Sequence, residues 1–162
     1  MATLEVGQTA PDFTLPTLDG KTLRLKDLLK GGPAVLVFWK AGCRACDLAF
    51  PYLGRLAELV PEVPVIAVGQ ETAESARAYV ERLSIRLPVA LDGPDYAVSR
   101  LYDPAFTPTI FLVGPDGTII FKSEGFSKAD LNALAARVGE LVGRPVPEVA
   151  PAEDGVPAFR PG

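Results

Sequence analysis

The chain has 162 residues, with 16 lysines and arginines against 20 aspartates and glutamates, two cysteines and no histidine. That length suits one domain whose core can fold unaided, and the net charge of −4 leaves no footprint for nucleic acid and argues against binding to acidic membrane surfaces. Without histidine, a Ser-His-Asp triad, a Cys-His couple and any imidazole metal site are excluded, and two cysteines cannot complete a four-thiolate zinc centre in one chain.

The opening "MATLEVGQTAPDFTLP" lacks a basic segment followed by an apolar one, so it does not read as a signal peptide. No apolar run approaches the ~20 residues that span a bilayer. The chain as written is therefore expected in the cytoplasm; trimming of a longer, exported chain would change that. "APDFTLPTLDGKTLRLKDL" alternates apolar and polar residues on either side of Asp19-Gly20, a hairpin signal. "GGPAVLVFW" has a glycine-proline entry and a continuous β-prone run, as expected of a central strand buried on both faces. From Arg44 to Val60, Leu48, Tyr52, Leu56 and Leu59 recur at helical spacing, and Pro51 should kink that helix.

"VPVIAVG" reads as a second buried strand, and Thr72 to Leu83 as a helix with Ala76, Tyr79 and Val80 on one face. "LPVALD" is a short strand and Tyr96 to Tyr102 a short helix. "TIFLVGPDGTIIFKSEG" is a hairpin that turns at Pro115-Asp116-Gly117. Ser127 is placed to cap a last helix reaching about Val142, with Asp130 in the capping-box position. Beyond Gly143, "RPVPEVAPAEDGVPAFRPG" is rich in proline and weak in periodicity, so residues 144–162 are expected to be an extended or disordered tail after a domain of residues 1–143. Strands alternating with helices, followed by a hairpin and a helix, imply an α/β sandwich with a partly parallel sheet.

Both cysteines lie in "VFWKAGCRACDLAFP". If a strand ends near Trp39 and a helix begins near Cys43, unpaired N–H groups and the helix dipole stabilise a Cys43 thiolate. Cys46 then lies one turn further in, close enough to close a disulfide. A thiolate at neutral pH attacks a substrate disulfide, and a second thiol resolves the mixed disulfide. Two buried cysteines packed as small hydrophobes, or a metal site, are the other readings; the strand-then-Cys-x-x-Cys context favours redox chemistry.

The same segment resembles the active site of thioredoxin-fold proteins, with Trp39 four residues before the first cysteine and Pro51 five after the second. "FTPTIFLVGPDGTI" resembles their second signature, in which Thr107-Pro108 would be a cis-proline facing the disulfide. "GQTAPDFTLPTLDGKTLRLKDL" is similar to the opening of TlpA/ResA-type thiol reductases and of peroxiredoxins. The resemblance spans most of residues 5–142 and implies a thioredoxin-like fold: a central mixed sheet flanked by helices, with an N-terminal hairpin extension. It implies a thiol-disulfide oxidoreductase, expected to be monomeric, that acts on protein disulfides and draws on an electron donor not encoded in any motif. No cofactor or metal is expected beyond the Cys43–Cys46 pair. Cys43 would attack, Cys46 resolve, Thr107 and Pro108 orient the substrate strand, and Trp39 flank the site.

The chain also departs from the pattern. The strand acid of thioredoxin proper is replaced by Val37. Glu71 lies where TlpA/ResA-like proteins carry a glutamate near the cysteines; it reads either as a base or proton relay for Cys46 or as a helix N-terminal carboxylate. Arg44 should favour a Cys43 thiolate and Asp47 disfavour one at Cys46. Gly42 replaces a bulky aromatic and leaves a more open surface. Two rival functions are a peroxiredoxin-like peroxidase and a Cu(I) carrier. The first lacks its proline and hydroxyl, since those places hold Leu36 and Lys40, and the second lacks its spacing and its histidine.

Overall fold

The computed structural model describes residues 2–162. Strands β1 (Thr14–Pro16) and β2 (Thr22–Arg24) pair antiparallel across Asp19-Gly20, where Gly20 supplies a φ of 85°. A single turn, α1 (Leu25–Leu28), leads to β3 (Ala34–Trp39), α2 (Arg44–Leu59), β4 (Val65–Gly69), α3 (Ala73–Leu83), β5 (Val89–Leu91) and α4 (Ala97–Tyr102). The hairpin β6 (Thr109–Val113) and β7 (Ile119–Glu124), then β8 (Phe126–Ser127), α5 (Lys128–Val142) and β9 (Phe159–Arg160), complete the chain.

The central sheet runs β5-β4-β3-β6-β7, with β3, β4 and β5 parallel and β6 and β7 antiparallel, the mixed sheet expected. All six β3 residues are buried, and their alternation divides the core. Val35, Val37 and Trp39 face a layer built from α2, α3 and α5. Leu36 and Phe38 face Phe13, Leu15, Leu25, Val98 and Tyr102, which the N-terminal hairpin region and α4 supply. The hairpin closes over an otherwise open sheet edge: Leu18 N–H donates to Val89 C=O at 2.9 Å on β5.

Local signals set the helix ends. Thr72 Oγ1 accepts from Ser75 N–H at 3.1 Å and Ser127 Oγ from Asp130 N–H at 3.1 Å. The Asp130 carboxylate turns to Ser123 Oγ at 2.8 Å, so the capping box is only half made. The expected α2 stripe needs correction. Leu59 is 39% exposed, whereas Ala45, Cys46, Ala49, Phe50, Tyr52, Leu53 and Leu56 are buried. Flanked by the sheet and by other helices, α2 buries a face wider than one stripe, and small residues carry part of it.

Residues 144–162 are docked against the rest of the chain. Val149 and Ala150 are buried, and β9 pairs with β8. The Asn132 amide grips Ala150 from both sides, accepting from its N–H at 2.8 Å and donating to its C=O at 2.9 Å. Lys128 Nζ, almost wholly buried, donates to Pro151 C=O at 2.9 Å, Asp154 Oδ1 at 2.5 Å and Val156 C=O at 2.8 Å. Tyr52 Oη donates to the other Asp154 oxygen. A buried ammonium with all three N–H groups engaged is a strong tether.

Gly69 lies under Trp39, where a Cβ would meet the indole at 2.7 Å. Gly69→Ala should cost about 1–3 kcal/mol and shift the emission of Trp39, the only tryptophan in the chain, in a fluorescence-monitored urea titration. The hydrogen bond from Lys128 holds Asp154 well below the usual carboxylate range. A depressed native pKa gives stability that is present above the unfolded value and lost as pH falls through the native one. The melting-temperature gap between the wild-type protein and Asp154→Asn should therefore be full at neutral pH and shrink below about pH 4.

Candidate active site

With β3 ending at Trp39 and α2 starting at Arg44, Cys43 falls at the N-cap. Gly42, at φ 79°, makes the left-handed step into it. Cys46 N–H donates to Cys43 Sγ at 3.2 Å, the bond that a capping side chain makes. The Thr107–Pro108 peptide is cis, as the resemblance implied, and faces the same sulfur. Thr107 Oγ1 donates to Cys43 Sγ at 3.4 Å, and Thr107 C=O accepts from the thiol at 3.1 Å. Gly125 N–H donates to Pro108 C=O at 2.9 Å and ties this loop to the end of β7.

The two cysteines differ in setting. Cys43 lines a cleft of about 530 Å³, whereas Cys46 has no exposed surface. Burial, reinforced by the hydrogen bond to Cys43, pushes the Cys46 thiol far above its ordinary value. Trp39 also lines the cleft, stacked on Tyr79 with centroids 4.6 Å apart and edge-on to Phe50 at 5.9 Å.

Arg44 is exposed beside Cys43 and forms no ion pair among the described residues. Asp47 turns away from the sulfurs, accepting from Tyr79 Oη at 2.8 Å and Arg82 Nη2 at 3.3 Å. Glu71 accepts from Ala41 N–H at 2.7 Å and Ser75 Oγ at 3.0 Å. It thus clasps the loop before Cys43 to the start of α3, and no hydrogen bond among the described residues joins it to either sulfur.

Several residues at the cleft carry no sequence signal. Phe106 is 49% exposed there, and Arg160, Pro161 and Gly162 form one wall. Gly162 lies so close to the Thr107 backbone that a Cβ has no room. Gly125 (φ 75°) similarly admits Arg160 C=O and Gly162 N, either of which a Cβ would meet at 3.1 Å. Tyr79, in contrast, is visible from the sequence as part of an apolar helix face.

Comparisons with known proteins place this geometry. The model of the AhpC/TSA family matches residues 6–122. The thiol-disulfide oxidoreductase ResA of Bacillus cereus is 33% identical over 125 residues, covering 75% of this chain and 71% of that protein. ResA of Bacillus subtilis (strain 168) is 33% identical over 117 residues, 70% of this chain and 64% of that protein. Among solved structures, a chain assigned as the thiol:disulfide interchange protein DsbE from Chlorobium tepidum superposes with a TM-score of 0.78 at 28% identity, covering 87% of this chain and all of that one. A thiol:disulfide interchange protein from Bacteroides sp. gives a TM-score of 0.74 at 25% identity, covering 94% and 95%. The fold is thioredoxin-like, and the chain belongs to the AhpC/TSA family, among its TlpA/ResA-like thiol-disulfide oxidoreductases.

Proposed function

We propose that the protein reduces protein disulfides by dithiol exchange, with Cys43 attacking and Cys46 resolving. The observation that carries this reading is the unequal burial of two sulfurs one helical turn apart, opposite a cis-proline loop. The Cys43 thiolate attacks one sulfur of a substrate disulfide; that S–S bond breaks, and the departing sulfur takes up a proton. Cys46 then gives up its proton and attacks Cys43 Sγ, which releases the second substrate thiol and leaves a Cys43–Cys46 disulfide. Two electrons and two protons reach the substrate, and an external dithiol restores the pair. No other cofactor enters this cycle. One copy of the chain supplies both thiols and the orienting loop, which suits a monomer.

The high pKa of Cys46 has a use in this scheme. A resolving sulfur that stays protonated until the mixed disulfide forms does not compete for substrate. The Thr107 carbonyl lies beside the attacking sulfur, where an extended substrate segment would run. Pro108 has no N–H, and Thr107 adds a hydroxyl. In a reducing compartment such a pair rests as a dithiol and acts as a reductase. A peroxidase reading finds neither its proline nor its hydroxyl: Leu36 is buried within β3 and Lys40 is exposed after it.

Iodoacetamide added to the reduced native protein at about pH 8 should label Cys43 and spare Cys46 until the fold is denatured; mass mapping that finds both labelled equally would reverse the assignment. With a disulfide-bonded peptide as substrate, Cys43→Ser should lose turnover to background. Cys46→Ser should instead accumulate a mixed disulfide, visible on a non-reducing gel. Full activity in Cys43→Ser would overturn the mechanism.

A further inference from the structure

We propose that the cleft beside Cys43 selects disulfide-bearing protein segments flanked by acidic residues, and that Lys40, Arg44 and Arg160 read those acids. The inference rests on the dithiol-exchange reading and adds the substrate class to it. The three cations reach the cleft from three separate parts of the chain: the loop after β3, the first turn of α2 and the C-terminal β9. All three are exposed, and none forms an ion pair among the described residues. No aspartate or glutamate lines the cleft, although the chain as a whole carries a net charge of −4.

The neighbouring carboxylates keep their charge but pair with none of these three cations. Asp47 is engaged by Tyr79 and Arg82, and Glu71 by the Ala41 amide and Ser75. Like charges left unpaired around one sulfur repel each other, and an anionic partner relieves that repulsion. An excess of cations around a cleft also raises the encounter rate of oppositely charged ligands, in a manner that salt suppresses. Phe106, half exposed in the same cleft, adds an apolar surface against which an extended peptide can lie. Arg160 owes its place to β9–β8 pairing and to the space above Gly125, so the docked tail contributes directly to this surface.

The test uses three peptides of equal length, each closed by one disulfide and flanked by glutamate, glutamine or lysine. Single-turnover rates of the reduced protein with each are measured at low and high ionic strength. The glutamate peptide should react about tenfold faster than the lysine peptide at low salt, and the gap should close as salt rises. Arg160→Glu, and independently Lys40→Glu, should lower the ratio of the glutamate to the glutamine rate. Equal rates for all three peptides at low salt would overturn the proposal, as would a ratio unmoved by both substitutions. Glutathione disulfide, small and anionic, should trail the glutamate peptide; if it were faster, the cleft would serve a small anion and the proposal would fail. Reaction with none of the peptides would overturn the dithiol-exchange reading together with this one, whereas uniform reaction sinks the charge selection alone.

Discussion

The hydrogen bond from the Cys46 amide to the Cys43 sulfur joins the backbone to the chemistry of this protein. A helix must satisfy its first N–H groups, and here a cysteine does what serine or threonine does at the starts of α3 and α5. The position of Cys43 is thus set by helix geometry, and everything around it serves to keep α2 where that geometry is useful. Strand β3 delivers the chain to the cap, Gly42 turns it, and the Glu71 carboxylate holds the preceding loop by the Ala41 amide. On the far side, the cis Thr107–Pro108 loop brings a carbonyl and a hydroxyl to the same sulfur.

Burial then makes the two sulfurs unequal. A thiol with no exposed surface, beside another sulfur, is held in its protonated form. No acidic residue in β3 is needed for this difference to arise. Val37 occupies that place as ordinary core, and the aromatic cluster of Trp39, Tyr79 and Phe50 closes the space over Gly69.

Much of this was legible in the sequence, because periodic patterns and caps are local. The buried strands, the Asp19-Gly20 hairpin, the Ser127 cap and the Cys43–Cys46 spacing all declare themselves within a few residues. The true inner face of α2 was harder to read, since Ala45 and Ala49 count as core only when their neighbours are known. The role of Glu71 could not be decided from sequence, because its partner Ala41 lies 30 positions away. The tail was least legible. Its fixings are side chains of other elements, Lys128, Asn132, Tyr52 and Arg55, which grip a segment with no period of its own.

The Lys128 clasp also alters where the domain can be said to stop. Lys128 sits in the first turn of α5 with only 6% of its side chain exposed, and each of its ammonium hydrogens points at an oxygen from residues 151–156. A shortened chain ending after α5 would retain that cation and strip it of every acceptor, in a wall whose apolar neighbours Val149 and Ala150 would also be gone. The proline-rich segment is therefore an internal part of the fold that happens to lie on the outside. A boundary drawn by composition at residue 143 would cut through the core rather than around it.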